Sequence, residues 1–423
     1  MGGFTPYQRR LFIFLSVATF FEGYDFLALS QVLPEMVHDM GITHAHEGLL
    51  VAFINLGTVV AYLLVRQADK WGRKRVLTVT ILGYTLFTFL TGLAPDVISF
   101  ALFQFFGRVF LIAEWAISMV YAAEEFPAER RGLVIGVISA FSSFGAIVCA
   151  GVAPILIDTE YGMTMAATLA QARPEYLVDT MFGWRMVYFV GVVPLLLLAF
   201  ARRGLKESKR YVQQGVSERR PLLALLRGPY RKRIVQLALI WGVTYICSQT
   251  AVTFWKQFVM EERGFSKEQV GQSITLAALI AMPLIFVTGA LIDKAGRRLG
   301  GLVIFGLAAL GTFGAYTMHS QWALTVSLVF GIFGDSAPFI VLNAYTTELF
   351  PTEIRGDAYA WANNLLGRIG YVVSPLIVGV AAETWGWGAS VRLTAICPLL
   401  AVMLVWVLLP ETRAKELEET SAL

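Results

Sequence analysis

Residues 124–132 read EEFPAERRG, and residues 348–356 read ELFPTEIRG. Each stretch carries a glutamate at its start, a Phe-Pro pair in the middle and an Arg-Gly pair at its end, and each follows a long apolar segment. A motif that recurs in the second half of a chain is the signature of an internal repeat. The fold is therefore expected to contain two related halves.

Two further pairs of loops repeat in the same order. ADKWGRKR at 68–75 corresponds to GALIDKAGRR at 289–298, and LKESKRY at 205–211 corresponds to LPETRAKELEE at 409–419. Three matched pairs in matching positions are hard to obtain by chance. They predict two similar bundles with parallel topology, a known design of transporters in which substrate binds near the bilayer midplane.

The composition places the chain in a membrane. Of 423 residues 57% are hydrophobic and 15% charged, whereas soluble domains average about 45–50% and about 25%. This balance excludes an ordinary soluble enzyme, a disordered chain and a secreted mini-domain. The net charge of +4 is too small to indicate nucleic-acid binding. Three dispersed cysteines, without a nearby ligand set, indicate neither a disulfide framework nor a metal site.

Twelve apolar stretches are long enough to cross a hydrocarbon core of about 30 Å, which takes roughly 20 helical residues. We predict an all-α integral membrane protein with twelve transmembrane helices in two pseudo-symmetric six-helix bundles. The predicted spans are 11–33, 48–66, 76–94, 98–123, 132–157, 184–201, 234–259, 270–292, 301–318, 323–347, 357–381 and 391–409.

The distribution of basic residues predicts the orientation. With the N-terminus inside, the cytoplasmic segments hold 26 of the 34 Lys and Arg, which is the positive-inside bias. We expect both termini in the cytoplasm and a multi-pass location in a bacterial-type inner membrane. The predicted domains are an N-terminal bundle (1–201), a cytoplasmic linker (202–233), a C-terminal bundle (234–409) and a cytoplasmic tail (410–423).

The motifs resemble those of the major facilitator superfamily over almost the whole chain. The DKxGR loops match its signature, and KES and PET are similar to loops of the sugar-porter and organic-ion branch. FEGYDFLALSQVLPEM at 21–36, GRVFLIAEW at 107–115 and GRIGYVVSP at 367–375 resemble motifs of proton-coupled symporters that carry aromatic acids, lactate or sialic acid. The resemblance implies a carrier that works by alternating access and normally as a monomer.

Some positions depart from that pattern. Val65 stands where the superfamily signature usually has glycine, IAEW at 112–115 stands for an expected GGEW, and Glu22 replaces an aspartate. The glycines and proline of the antiporter signature are missing from span five, where residues 145–154 read GAIVCAGVAP. This absence favours uptake over drug export.

Ionised side chains inside a membrane are costly, so each is a functional hypothesis. Glu22 and Asp25 lie on one face of span one, three residues apart. The resemblance makes Asp25 the proton-coupling aspartate and Arg108 its partner, with Glu22 and Glu114 as further candidates for the proton. A permanent Asp25–Arg108 ion pair that ties two helices together is the structural alternative, and Glu114 could instead pair with a basic residue or face a cationic substrate.

Arg368 is the best candidate for binding a substrate carboxylate, because guanidinium can form two parallel hydrogen bonds to it. The alternative is an ion pair with Asp335 on the preceding span. Trp361 precedes Arg368 by seven residues, which in an α-helix places both on similar faces. The predicted substrate-binding set comprises Arg368, Arg108, Tyr24, Trp361, Tyr345, Asn343 and Tyr245.

The loop motifs supply candidate gating residues. In the resembled family the loop aspartate meets a helix N-terminus, and the loop arginine meets a carboxylate at the end of span four, here expected to be Glu125. The simpler alternative is that these charges serve only to orient the chain in the membrane. The predicted gating set comprises Asp69, Arg73, Glu125, Arg130, Asp293, Arg297, Glu348 and Arg355.

No GxSxG elbow, phosphate-binding GxxxxGK[ST] or HExxH motif occurs in the sequence, so an enzyme is not expected. We predict a secondary active transporter without cofactor or metal, which takes up a small organic anion, a mono- or aromatic carboxylate, by proton symport. Its expected partners are that acid, protons and membrane lipid, and not nucleic acid. The alternatives are a carrier of an organic cation, a sugar or an efflux substrate, and a sensor that has kept the fold.

Overall fold

The computed structural model describes residues 4–126, 128–157, 183–201, 205–207, 222–351 and 354–413, and these ranges contain helices and no β-strand. The first half holds α1 (Pro6–Met40), α2 (His44–Trp71), α3 (Arg73–Gly92), α4 (Val97–Glu125), α5 (Ala128–Ile157) and α6 (Trp184–Ala201). The second half holds a 3₁₀ turn (Leu222–Arg227), α7 (Arg231–Thr253), α8 (Trp255–Glu261), α9 (Lys267–Ala295), α10 (Arg297–Ala315), α11 (Gln321–Glu348), α12 (Arg355–Tyr359), a π-helix (Ala360–Gly367), α13 (Arg368–Thr394) and α14 (Ile396–Leu408).

The helices confirm the predicted class of an all-α membrane protein. Ten helical stretches of the described chain are long and apolar enough to span a bilayer. The last of them, Arg355–Leu408, has 54 residues, and Gly386 (φ 75°) breaks it into two spans. The 18-residue helix α6 is apolar apart from Arg185 in its first turn, as expected for the predicted span 184–201. Large apolar side chains such as Phe286, Leu310 and Val407 point away from the protein core, as lipid contact requires.

The chain forms two compact units. Unit 1 comprises residues 1–41 and 53–218, and unit 2 comprises residues 42–52 and 219–423. The first turns of α2 thus pack with the second half of the sequence, while the rest of α2 packs with the first. The predicted boundaries between bundles, linker and tail stay a prediction.

Side-chain caps fix where several helices begin. The hydroxyl of Thr5 accepts the backbone N–H of Gln8 while the Gln8 side chain accepts that of Thr5, and Pro6 occupies the first turn. Asp96 and Ser266 form the same reciprocal box at the starts of α4 and α9. Each box satisfies backbone donors that a helix cannot satisfy itself.

Unit 1 is built around a close crossing of α1 and α5. A Cβ placed on Gly23 would lie 1.8 Å from the carbonyl oxygen of Ser142, and one on Gly145 would lie 1.8 Å from the carbonyl oxygen of Phe20. The two helices therefore touch backbone to backbone, at a distance that only glycine permits. Small residues at such crossings are how helices pack tightly in membranes.

Unit 2 has the same kind of backbone contact between α7 and α13. A Cβ on Gly370 would lie 2.0 Å from the carbonyl oxygen of Gly242. These helices correspond to α1 and α5 in the internal repeat, since they are the first and fifth spans of the second half. The two units share their tightest contact as well as their loop motifs.

The π-helix at 360–367 precedes the predicted substrate arginine. Its hydrogen bonds run from residue i to i+5, so each residue turns the chain by less than in an α-helix. Arg368 begins the regular helix that follows. The orientation of Arg368 therefore depends on this irregular segment.

We expect Gly23→Ala to lower the free energy of unfolding by about 1–3 kcal/mol, because the new methyl group must push the backbone of α5 away. Thermal unfolding of the purified protein in detergent micelles measures the effect. Gly289→Ala is the control, since a Cβ there would meet nothing within 4 Å, and it should leave stability unchanged or raise it by up to about 1 kcal/mol. Equal unfolding temperatures for the two variants would contradict the backbone contact.

Candidate functional site

In unit 1 the predicted proton-coupling residues form one cluster. Arg108 is buried, and its guanidinium carbon lies 4.9 Å from the centre of the Phe26 ring. Asp25 lies near enough to Arg108 to feel its charge, and Tyr84 lies close to Asp25 and donates its hydroxyl to the carbonyl oxygen of Phe21 at 3.2 Å. Arg108 and Asp25 do not form a direct ion pair, and the Nη1 of Arg108 is buried without a hydrogen-bond acceptor.

Glu22 and Glu114 make a second acidic contact in the same unit. Both are almost completely buried, and their side chains approach each other. Ser118 donates its hydroxyl to Glu114 Oε1 at 2.7 Å, whereas no donor reaches either oxygen of Glu22. A proton shared between the two carboxyl groups would remove their repulsion.

Tyr24 is buried beside Asp25, and its hydroxyl donates to the carbonyl oxygen of Val187 at 3.2 Å. Tyr188 lies near Asp25 and Arg108, and its hydroxyl is buried without a partner. Aromatic side chains thus surround the charges of α1 and α4. The structure brings Glu22, Tyr24, Asp25, Arg108 and Glu114 together, and whether they couple protons stays a prediction.

Arg368 in unit 2 lies against two neighbouring aromatic rings. Its guanidinium carbon is 4.8 Å from the centre of the Tyr245 ring and 5.0 Å from that of Tyr371. Its Nε is buried without an acceptor. No ion pair joins Arg368 to Asp335, so the structural lock considered from the sequence does not form in this structure.

A chain of polar side chains runs beside Arg368. The Tyr245 hydroxyl donates to Asn363 Oδ1 at 2.6 Å, the Asn363 amide donates to the Tyr359 hydroxyl at 2.7 Å, and that hydroxyl donates to Asn343 Oδ1 at 2.8 Å. The chain links the predicted Tyr245 and Asn343 through two residues that the sequence did not single out.

Two predicted substrate residues are placed differently from the rest. Tyr345 is fully buried and lies near Arg297, Glu348 and Glu411. Trp361 lies in the π-helix. The argument that it shares a face with Arg368 assumed an α-helix between them, so that argument was wrong.

The repeated loops form what we call the first charged latch, consisting of Arg73, Glu124 and Glu207. Arg73 Nη2 lies 3.1 Å from Glu124 Oε1. Glu207 accepts the backbone N–H groups of Arg73 and Lys74 at 2.8 and 3.2 Å, where α3 begins. A carboxylate at this position binds the free donors and the positive end of the helix dipole.

The second charged latch in unit 2 consists of Arg297, Glu348, Glu411 and Asp293. Arg297 pairs with Glu348 at 2.7 Å and with Asp293 at 3.2 Å. Glu411 accepts the backbone N–H groups of Arg297 and Arg298 at 2.9 Å each. Both latches need a glycine as N-cap, because Gly72 and Gly296 have φ of 88° and 93° and a Cβ would crowd the capping carboxylate.

These contacts correct two expectations. The carboxylate that meets Arg73 is Glu124, one residue before the predicted Glu125, since only one of two neighbouring residues can face α3. The carboxylate at the N-terminus of α10 is Glu411, whereas Asp293 meets Arg297. Arg355 donates to the carbonyl oxygen of Phe350 at 3.2 Å. The side chains of Asp69 and Arg130 lie outside the described residues.

A further ionisable cluster lies at the start of α2, where the sequence indicated only a loop. His44 Nε2 is 3.5 Å from Glu261, and His44 Nδ1 is 3.7 Å from Glu47. Glu47 is completely buried, while Glu261 is partly exposed and burial raises the pKa of its carboxyl group. The i, i+3 spacing of His44 and Glu47 was the available signal.

Sequence reasoning also missed Glu207 and Glu411 as individual partners, although it singled out the KES and PET motifs that contain them. Tyr84, Tyr359 and Asn363 were missed because an isolated polar residue in an apolar span has no pattern. Only the folded chain shows which charges they contact.

We expect Glu411→Gln to lower the unfolding temperature at neutral pH. Glu411 is partly buried, which opposes its charge, but backbone N–H groups of Arg298, Arg297, Arg413 and Thr412 hold its pKa below the usual value. Its contribution is therefore complete above the ordinary glutamate pKa of about 4.3 and is lost as the pH falls through the lower folded value. Wild type and variant should converge on acidification, whereas Lys294→Gln, an exposed neighbour, should match wild type throughout. A pH-independent difference would contradict this assignment.

Comparisons with known proteins identify the family. A family model described as Major Facilitator Superfamily matches residues 15–370. The cis,cis-muconate transport protein of Acinetobacter baylyi is 25% identical over 389 residues, covering 88% of this chain and 87% of the relative. The niacin transporter of the same organism is 23% identical over 435 residues, covering 94% and 93%.

A solved structure supports the fold. A bacterial homologue of the human lysosomal transporter Spinster aligns with a TM-score of 0.78 at 17% identity, over 96% of this chain and 97% of that one. Together with the repeated latches and the glycine crossings, the family match shows that this chain is a membrane carrier, not an enzyme, and belongs to the Major Facilitator Superfamily.

Proposed function

We propose that the chain is a proton-coupled symporter that takes up a small organic anion, a mono- or aromatic carboxylate. The observation that carries the proposal is Arg368, a cation that lies against two tyrosine rings and has a buried N–H group without an acceptor. A carboxylate supplies the missing acceptor and charge. The names of the muconate and niacin carriers agree with an acidic substrate.

The aromatic surroundings of Arg368 favour a flat substrate. The Tyr245 ring centre lies 5.0 Å from that of Phe339 and 5.4 Å from that of Tyr371, and Trp241 stacks on Phe339 at 5.5 Å. Planar acids can stack on such rings while their carboxylate meets the guanidinium. A sugar would leave the charge of Arg368 uncompensated.

The proton is proposed to bind in unit 1. When Asp25 is ionised it balances the nearby Arg108, and when Asp25 takes up a proton the charge of Arg108 is released. The released arginine favours a different arrangement of α1 and α4 or a bound anion, so proton and anion binding support each other. Glu22 and Glu114 provide a second place that can hold a proton.

The distribution of basic residues supports cytoplasmic termini and an inner membrane of bacterial type. In that orientation the two charged latches lie on the cytoplasmic side, where they tie helix ends together. We propose that they stabilise the state whose cytoplasmic end is closed, and that the protein works as a monomer.

We expect Asp25→Asn to abolish accumulation of substrate against a gradient, because an asparagine cannot exchange the proton. The measurement uses proteoliposomes with a pH dye inside and a panel of carboxylates, sugars and quaternary amines outside. Wild type should acidify the lumen with one class of carboxylate, and the variant should not. Asp96→Asn is the matched control, since Asp96 is exposed and asparagine caps a helix equally well.

Two results would overturn the proposal. Accumulation by Asp25→Asn equal to that of the control would remove the coupling role of Asp25. No proton movement with any acid, together with a response to an amine or a sugar, would favour the carrier of another substrate class. The intramembrane acids would then act in substrate binding.

A further inference from the structure

We infer that unit 2 holds a two-charge binding site, in which Arg368 takes the carboxylate of the substrate and Asp335 takes a hydrogen-donating or cationic group of the same molecule. The inference rests on the proposed function and narrows its substrate class. The expected ligand is a planar acid that also carries an ammonium, a protonated ring nitrogen or a comparable donor.

The first observation is that Asp335 has no partner of its own. It lies in α11, half-buried, and within the part of the chain that the structure describes no hydrogen bond or ion pair involves its carboxylate. Pro338 follows three residues later and removes the helical hydrogen bond to the carbonyl oxygen of Gly334, next to Asp335. Two neighbouring positions of α11 therefore offer acceptors inside a membrane span.

The second observation is that Asp335 and Arg368 approach Tyr245 from different helices without forming an ion pair. The guanidinium of Arg368 lies 4.8 Å from the centre of the Tyr245 ring. Phe339, one helical turn after Asp335 and on the same face of α11, lies 5.0 Å from that ring, which places Asp335 near enough for its charge to act on Tyr245. Opposite charges in a membrane span normally pair, and here each remains without a charged partner. A ligand with both a negative and a donating group can satisfy the two at once.

The third observation is the direction of the polar chain. Tyr245 donates its only hydroxyl proton to Asn363 at 2.6 Å, so its oxygen can only accept from a ligand. The Tyr245 hydroxyl and the Asp335 carboxylate therefore present acceptors to a ligand, whereas the Arg368 guanidinium presents donors.

These facts discriminate against a simple carboxylate. Benzoate would neutralise Arg368 but leave Asp335 without a counter-charge or a donor, which is costly in a membrane interior. A benzoate that carries an ammonium group would satisfy both ends. Its ring would still contact the aromatic side chains that favour a planar substrate.

The test measures binding by titration calorimetry, with the purified full-length protein in detergent micelles. The probes are benzoate, 3-(aminomethyl)benzoate and 4-(aminomethyl)benzoate. The last two are isomers that differ in the distance between the carboxylate and the ammonium group. We expect one isomer to bind wild type at least about tenfold more tightly than benzoate, the effect of one charge-assisted hydrogen bond.

Asp335→Asn should reduce that ratio to near one and change the Kd of benzoate by less than about threefold. Arg368→Gln should weaken binding of all three probes. Asp357→Asn, an aspartate of α12 outside the site, should behave as wild type. If Asp335→Asn does not fold, Asp335→Ser removes the same charge and carries the same expectation.

Two results would overturn the inference while leaving the proposed function intact. The first is an unchanged preference in a folded Asp335 variant, and the second is wild-type protein that binds benzoate at least as tightly as both aminomethyl acids. Failure of wild type to bind any of the three acids would instead reject the proposed function and this inference together.

Discussion

The backbone contact of α1 with α5 is the constraint on which the rest of unit 1 depends. Gly23 and Gly145 let the two helices touch, and Gly23 lies between Glu22 and Asp25. A bulkier residue would therefore displace the acidic residues along with the helix. Gly23 has no side chain, so it allows the close helix contact and thereby also sets the positions of its charged neighbours. Unit 2 uses Gly370 in the same way, two residues after Arg368.

The two units divide the charges differently. Unit 1 holds three acids near one arginine, an arrangement suited to holding a proton, while unit 2 holds one acid and one arginine among aromatic rings. Buried charge is expensive in a bilayer, so each arrangement is a functional hypothesis. The two halves therefore share one helical scaffold but differ in the charged side chains that they place inside the membrane.

The sequence predicted what depends on periodicity and repetition. Apolar runs of about 20 residues predicted the spans, and matched loops predicted both latches, since the same motif must form the same local structure twice. It could not predict contacts that depend on helix rotation. Arg73 pairs with Glu124 where the prediction named Glu125, Tyr345 lies near the charges of the second latch, and His44 lies in a helix instead of a loop. Neighbouring residues differ by about 100° around a helix, which no spacing rule resolves without knowing the packed face.

The π-helix at 360–367 determines the rotation of Arg368 about the helix axis. Widening a helix in this way accommodates an additional residue without breaking the span. Everything before the segment can keep its packing while everything after it is turned as a block, and Arg368 is the first residue of that block. Insertion or loss of a single residue in this segment would therefore change the direction of the Arg368 side chain without replacing the residue. Carriers with identical binding residues could in this way differ in the cargo they accept, through the length of the helix alone.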